Sequence, residues 1–407
     1  MPLSDSFERS EQPSEVATLP PITLGRRRLL KGLALGSLLA LGGGSVLVLW
    51  GRQYIPLYIP FISMGGAAGG ITALAWSPDG KYIASATGAI PFNRYVVDPS
   101  TATTLQMWEA RHGKLLFTYP FSQQGTLSPP LAWSSDSQWF AWWSGTQQEL
   151  RLYEAKGEAP SPHPLVRTLF HRPNMPAGQL IVAFSPDGKW LASGGEYSGR
   201  LSVNRINNDG TPGWHYDPPD DWGGNITALA WSPDSLRLAA GISNVGTGGV
   251  RSQMIILDST SRKPLLQTPE TTLETITSLA WSPDGSLIAV GYQQDVENGR
   301  GYVNILNAYN SQQVTSYQPT VTPGIRPTVT PGIRTICWSP RSSRLLALIT
   351  NYSSAVQIWD TQTHAVLAMY AHGIGVIIDA VAWSPDGRYL VTGGEDKRLC
   401  IWLVPTA

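Results

Sequence analysis

Cysteine is scarce in this chain of 407 residues. Only Cys337 and Cys400 occur, and each lies inside an apolar, strand-like run. Two cysteines exclude a disulfide-stapled scaffold. We expect two buried free thiols, and a single bridge outside the cytoplasm is the alternative.

Charge is also low, and it is balanced. Charged residues make up 14% of the chain, against roughly 25% in soluble domains. Lys plus Arg and Asp plus Glu each number 29, so the formal net charge is zero. Because phosphate binding needs a basic surplus, this balance argues against nucleic acid as the main partner.

Recognisable catalytic and metal-binding motifs are missing from the sequence. The six histidines show no pairing at metal-ligand spacing. There is no Gly-x-Ser-x-Gly, phosphate loop or dinucleotide fingerprint. We therefore expect no cofactor, no metal and no catalytic residues, and we predict that the protein is not an enzyme.

The first 51 residues have a composition of their own. Residues 1–25 are polar and without periodicity, which predicts a disordered cytoplasmic tail. Residues 32–51 are uncharged, and twenty helical residues span about 30 Å, the thickness of a bilayer core. Three arginines and a lysine precede this run, so the N-terminus is predicted inside and the rest outside.

Residues 26–51 resemble a twin-arginine export signal. Arg26 and Arg27 stand at the paired arginines, and Leu29, Leu30 and Lys31 stand at the apolar-apolar-lysine end. The resemblance implies a signal or an uncleaved membrane anchor. We predict a single-pass protein of a bacterial membrane, and an exported soluble protein is the alternative.

A block of about fifteen residues recurs seven times after this segment, as in ITALAWSPDGKYIASA at residues 71–86. Each copy has one anchoring aromatic, and successive aromatics are 57, 51, 47, 50, 57 and 45 residues apart. The anchoring aromatics are Trp76, Trp133, Phe184, Trp231, Trp281, Trp338 and Trp383.

Each copy reads as an apolar strand, a Ser-Pro-Asp-Gly turn and a second strand, with two further strands behind. Ser137, Ser235 and Ser342 replace the turn glycine in three copies, where we expect slight strain. Four short strands repeated seven times, without helical periodicity, predict an all-β, seven-bladed β-propeller over residues 55–407.

The propeller region resembles the WD40 (WD-repeat) family, in its bacterial, WSPDG-rich form. The resemblance rests on the seven turn blocks, on Trp359-Asp360 and on LVTGGEDKRLCIW at residues 390–402. It implies a structural hydrogen-bond set in the last blade. By resemblance this set is His372, Thr392, Asp396 and Trp402.

The ends of the repeat region are predicted to pair. The chain ends just after the third strand of the last blade, and residues 57–63 echo an outer strand at residues 116–122. We therefore predict that residues 57–63 close the ring against residues 399–404.

The position four residues before each anchoring aromatic is predicted to face the ring axis. Only Arg334 and Asp379 are charged among these seven positions, and they belong to adjacent blades. We expect them to form an ion pair across the seam between those blades.

Four long connections stand out as candidate binding loops. Three of them are residues 87–104, 243–253 and 293–301. The other, at residues 213–225, places aromatic rings among acids, which suits a peptide, sugar or cationic partner. Its candidate partner-binding residues are Trp214, Tyr216, Asp217, Asp220, Asp221 and Trp222. The alternative is that the rings pack on neighbouring blades and the acids are solvated.

Together these features predict a non-catalytic protein-interaction scaffold on the outer side of a bacterial membrane, with protein or peptide partners. The alternative is a propeller enzyme, or a carbohydrate- or peptide-binding propeller of the cell envelope, as in a TolB-like accessory module.

Overall fold

The structure is a computed structural model of the chain. It describes residues 60–67, 69–87, 103–121, 131–144, 149–154, 165–171, 180–195, 200–206, 213–219, 225–246, 249–294, 301–319, 332–351 and 353–405. These residues belong to one compact unit, Tyr54–Ala407, and every regular secondary-structure element among them is a β-strand. The predicted tail at residues 1–25 and the predicted signal or anchor at residues 26–51 lie outside the described residues.

The strands form seven antiparallel sheets, which are the blades. The first strand, β1 (Ile62–Met64), belongs to the last blade. Blade 1 contains β2 (Ile71–Trp76), β3 (Tyr82–Thr87), β4 (Thr103–Glu109) and β5 (Lys114–Phe121). Blade 2 contains β6 (Leu131–Trp133), β7 (Trp139–Ser144), β8 (Glu149–Glu154) and β9 (Leu165–His171). Blade 3 contains β10 (Leu180–Phe184), β11 (Trp190–Gly195), β12 (Leu201–Arg205) and β13 (Trp214–Tyr216).

The remaining blades follow the same order. Blade 4 contains β14 (Asn225–Trp231), β15 (Arg237–Gly246), β16 (Gly249–Asp258), β17 (Pro264–Gln267) and the short β18 (Thr271–Thr272). Blade 5 contains β19 (Glu274–Trp281), β20 (Leu287–Gln294), β21 (Tyr302–Asn307) and β22 (Gln313–Tyr317). Blade 6 contains β23 (Ile333–Ser339), β24 (Ser342–Thr350), β25 (Val356–Asp360) and β26 (Ala365–Tyr370). Blade 7 contains β27 (Ile378–Trp383), β28 (Tyr389–Gly394) and β29 (Leu399–Leu403), with β1 outermost.

The blades form a closed ring. The first strand of each blade contacts the first strands of both neighbouring blades, including β27 of blade 7 against β2 of blade 1. Each blade therefore packs its apolar faces against neighbouring blades instead of exposing them to water. The predicted all-β, seven-bladed propeller is therefore confirmed.

The recurrent turn is held by its own side chains. In blade 1, the Ser77 hydroxyl donates to Asp79 Oδ1 at 2.7 Å, and the same oxygen accepts the Lys81 N–H at 3.0 Å. Gly80 follows with φ of 75°, in the left-handed region. The sequence Ser-Pro-Asp-Gly therefore supplies both the local acceptors and the one residue that this backbone favours.

Serine in place of that glycine has a compensating contact. Ser137 and Ser235 have φ of 59° and 61°, which is the strained backbone conformation expected at these turns. The Ser137 hydroxyl accepts the Asp79 N–H of the preceding blade at 2.9 Å, and Ser235 accepts the Asp187 N–H at the same distance. The third case differs, because Ser342 pairs with Ser339 at the start of β24 and does not have a positive φ.

Neighbouring blades interlock through glycine and isoleucine. A Cβ placed on Gly291 would lie 2.6 Å from Ile333 Cγ2 of the next blade, closer than packed carbons approach. The same contact recurs at three other seams, and each glycine lies ten residues after its anchoring aromatic. These pairs are Gly194 with Ile226, Gly241 with Ile276, and Gly393 with Ile71. A missing side chain at this position thus makes room for the next blade.

The ring closes between its two ends. Strand β1 pairs antiparallel with β29, with Ile62 opposite Ile401 and Met64 opposite Leu399. The Phe61 N–H also donates to the Ile401 carbonyl. The sequence placed this outer strand at residues 57–63, whereas the strand in the structure begins at Ile62 and runs to Met64. Residues 57–59 lie outside the described residues.

The expected loop at residues 243–253 is instead mostly strand. Strands β15 and β16 pair continuously from Arg237 opposite Asp258 to Gly246 opposite Gly249. Strand β18 then pairs with Arg251 and Ser252. Polar and glycine-rich composition suggested a loop here, but backbone pairing on both sides of β16 satisfies the hydrogen-bonding groups of the segment.

Candidate functional site

The last blade contains a connected polar network inside its apolar core. The His372 Nδ1 lies 2.9 Å from Asp396 Oδ1, and its Nε2 lies 2.7 Å from the Thr392 hydroxyl. The Trp402 indole N–H donates to the same hydroxyl at 2.7 Å. The structure thus brings together all four residues of the hydrogen-bond set that the sequence resemblance implied.

This network has a distinct electrostatic character. Burial alone would lower the pKa of His372, but the hydrogen bond with Asp396 and the nearby negative charge outweigh it and raise the pKa to about 9. Hydrogen bonds from His372 and Arg398 outweigh burial at Asp396 and lower its pKa. A protonated imidazole therefore ties the loop before β27 to the turn between β28 and β29. All of its groups are paired within the blade, which fits a structural role.

In two other blades the third-strand tryptophan has different surroundings. In blade 1 the Trp108 indole N–H donates to the Ser85 hydroxyl at 2.9 Å. In blade 6 Trp359 is fully buried, and its indole N–H has no hydrogen-bond partner.

A second set of hydrogen bonds, which the sequence pattern does not predict, joins one blade to the next. An anchoring tryptophan donates its indole N–H to the carbonyl of the residue before the anchoring aromatic of the preceding blade. Five such bonds are present, with lengths of 3.0 to 3.2 Å. They run from Trp133 to Ala75, Trp231 to Ala183, Trp281 to Ala230, Trp338 to Ala280 and Trp383 to Cys337.

Two seams differ from this pattern. Phe184 of blade 3 has no N–H to donate. The Trp76 indole N–H, at the seam where blade 7 meets blade 1, is buried without a partner. The chemical difference between Trp and Phe at the anchoring position was visible in the sequence, but the identity of the acceptor was not.

The predicted ion pair between blades 6 and 7 is present. Arg334 Nη1 lies 3.1 Å from Asp379 Oδ1, and Arg334 Nε donates to the Asp379 carbonyl at 3.0 Å. The sequence reading missed Glu395, whose pKa is raised by burial and by the negative charge of Asp379. The described residues contain no group of three or more His, Cys, Asp or Glu side chains able to hold a metal ion.

Comparison with protein families agrees with this geometry. The sequence model of the family described as WD domain, G-beta repeat, matches residues 60–89, 180–203 and 365–402. The last of these segments contains the whole His372 network. The ring therefore contains segments that match WD40 repeats. A second model, the anaphase-promoting complex subunit 4 WD40 domain, matches residues 247–339, from the β15–β16 hairpin to the end of β23.

Of the candidate partner-binding residues, three lie in or directly after β13 of blade 3 and three lie outside the described residues. Trp214 is 5% exposed and belongs to a core cluster with residues of β12, β14 and β15, so its ring is buried in the protein. Tyr216 packs partly against the same core. Asp217 forms an ion pair with Arg200, whose Nε lies 2.6 Å from Asp217 Oδ1. Asp220, Asp221 and Trp222 lie outside the described residues.

The export-signal residues Arg26, Arg27, Leu29, Leu30 and Lys31 also lie outside the described residues. Within the described ranges, no helix has the length and apolarity needed to cross a membrane. Both cysteines are free, and burial raises the pKa of the Cys337 thiol to about 12.

Proposed function

We propose that this chain is a protein-interaction scaffold and that the WD40 ring is its binding module. The observation that carries the proposal is a closed seven-bladed ring with WD40 repeats matched in its first, third, sixth and seventh blades. WD40 propellers commonly bind protein partners and are typically non-catalytic scaffolds. The interlocked seams support a rigid surface, which reduces the entropy lost when a partner binds.

Affinity capture with the full chain tests this proposal. The control is Ile401→Asp, which places a carboxylate at a position 2% exposed beside the closing strand and should prevent ring closure. Proteins retained by the wild type and lost with Ile401→Asp are partners of the folded ring. The scaffold proposal fails if the wild type retains nothing that the control does not.

In this proposal the ring performs no catalytic step. Purified protein should show no turnover in glycosidase, esterase and phosphatase panels. Turnover that is abolished by Asp379→Asn would instead support an enzyme with its site at the ring axis, because Asp379 is the buried acid of the seam between blades 6 and 7.

We further propose that the propeller lies on the outer side of a bacterial membrane, held there by residues 26–51. The support is the twin-arginine-like GRRRLLK followed by twenty uncharged residues.

Replacing Arg26 and Arg27 together by Lys keeps the charge and removes both guanidinium groups. The propeller should then stay in the cytoplasm, protected from protease added to spheroplasts. The control Arg28→Lys makes the same exchange at the position outside the pair and should leave export intact. Unchanged digestion in the double variant would exclude the twin-arginine route.

A further inference from the structure

Three charged residues meet where blades 6 and 7 join. Arg334 is the second residue of β23, Asp379 is the second residue of β27, and Glu395 directly follows β28. Ile378 is opposite Gly394 in the ladder, so the start of β27 and the end of β28 lie at one end of the blade. The Glu395 N–H donates to the Ile377 carbonyl at 3.0 Å, which fixes Glu395 beside the loop that enters β27.

The charges in this group do not balance. One guanidinium stands against two carboxyl groups, and Arg334 directs both of its contacts at Asp379. The Asp379 side chain is 4% exposed, and its Oδ2 has no hydrogen-bond partner. Burial raises the pKa of both acids, and their mutual repulsion raises that of Glu395 further. An additional cation would relieve this repulsion, because electrostatic interactions strengthen as water is excluded.

An exposed apolar side chain lies in the loop that leads to these charges. Ile374 is 87% exposed, the largest value among the large hydrophobic side chains of the described residues. It lies in the loop from β26 to β27, between Gly373 and Gly375, and Gly375 has φ of 74°. The same loop reaches Glu395 through Ile377. The surface at this end of the seam therefore includes the apolar Ile374 and the acidic Glu395, with Arg334 partly exposed and Asp379 buried.

We propose that this surface binds a segment of a partner protein that places a Lys or Arg side chain at Glu395 and an apolar side chain on Ile374. The inference rests on the proposed scaffold function and names its contact site. Two carboxyl groups offer too few oxygen ligands for calcium, and a bare ion would leave Ile374 exposed. A polypeptide satisfies both features at once.

Pools of acetylated nonapeptides test the charge requirement directly. The central residue is fixed as Arg, Lys, Gln or Glu, one neighbour is fixed as Leu or Ser, and the other positions are random. Binding to the full-length protein is measured by fluorescence anisotropy at low salt. We expect Arg and Lys pools to bind about tenfold more tightly than the Gln pool, and Glu395→Gln to reduce this preference to about twofold or less.

Two matched variants control for charge and apolarity elsewhere. Glu270→Gln removes a half-exposed carboxylate that is paired with Arg251 in blade 4, and it should keep the full preference. Ile374→Ser should abolish the preference for Leu over Ser, whereas Leu265→Ser, at an exposed position of β17, should not.

The following outcomes would contradict the proposed site. Equal binding of all pools, or a preference that survives Glu395→Gln, overturns it. Competition by arginine amide as effective as that by the Arg-Leu pools would show a small-cation site and overturn the polypeptide occupant. If captured partners of the folded ring are retained equally by Glu395→Gln and Ile374→Ser, the scaffold function stands and this site is wrong.

Discussion

At the residue scale, the indole N–H of the anchoring tryptophan has a role in some blades that it lacks in others. Trp338 donates to the Ala280 carbonyl across a seam, whereas the buried Trp76 N–H has no acceptor. Trp338→Phe should therefore cost the packing of the lost ring atoms plus about 1 kcal/mol for the hydrogen bond. Trp76→Phe should cost only the packing, and the difference can be measured as the gap between their urea midpoints. Equal midpoints would show that the interblade bonds contribute nothing measurable.

A second residue-scale prediction concerns pH. The pKa of His372 is raised from 6.5 to about 9 in the folded protein, so the folded state binds this proton more tightly than the unfolded state. Its stabilising contribution is full below pH 6.5 and is lost as pH rises through about 9. We expect the stability difference between wild type and His372→Gln to shrink over this window. Parallel urea-midpoint curves from pH 6 to pH 9.5 would contradict the charged form of the network.

Sequence alone identified the residues of the His372 network, because family resemblance assigns each of them by position. It also identified the Arg334–Asp379 pair, because one register of the first strands contains only those two charges. It did not identify Glu395, because the predicted β27–β28 hairpin brings the end of β28 near the start of β27 without showing which residue lies beside Asp379, and the register shifts between Ile378 and Ala380. Local sequence patterns predict the role of a position within its own strand. Its neighbours on adjacent strands can be assigned only when the register of strand pairing is known.

At the element scale, the close approach of one blade's second strand to the next blade's first strand depends on glycine. Gly291→Ala would place a carbon 2.6 Å from Ile333 Cγ2 and should destabilise the protein by about 1–3 kcal/mol. Ile333→Ala removes the opposing methyl at the cost of a cavity. The double variant should therefore be more stable than the sum of the two single effects implies. Strict additivity in urea unfolding would mean that the two residues do not press on one another.

Strand boundaries were predicted where the turn chemistry is strong and missed where it is weak. The Ser-Pro-Asp-Gly blocks fix where the first strand of a blade ends and where the second begins, because Pro, Asp and Gly each favour one turn position. The β15–β16 hairpin was read as a loop, since glycine and polar residues there do not reveal that β18 pairs alongside. The recurrence of glycine ten residues after the aromatic was a signal in the sequence, and its meaning required the next blade.

At the scale of the whole molecule, seven similar units become one surface only because the ring closes. The first and last parts of the ring meet in β1 and β29, and Met64 packs beside Gly113 of blade 1. A closed ring holds loops from different blades in fixed relation, which is what a scaffold needs to select a partner.

Photo-crosslinking in living cells tests the scaffold function most directly. A photoreactive amino acid is placed singly at Ile374, at Tyr309 and at Leu265, three exposed positions on different parts of the ring. Ile374 lies in the loop before β27, and Tyr309 lies in a turn at the opposite ends of the strands. We predict a discrete adduct with a second polypeptide from Ile374 that weakens in Glu395→Gln. Failure to crosslink any other protein from all three positions would contradict the scaffold function.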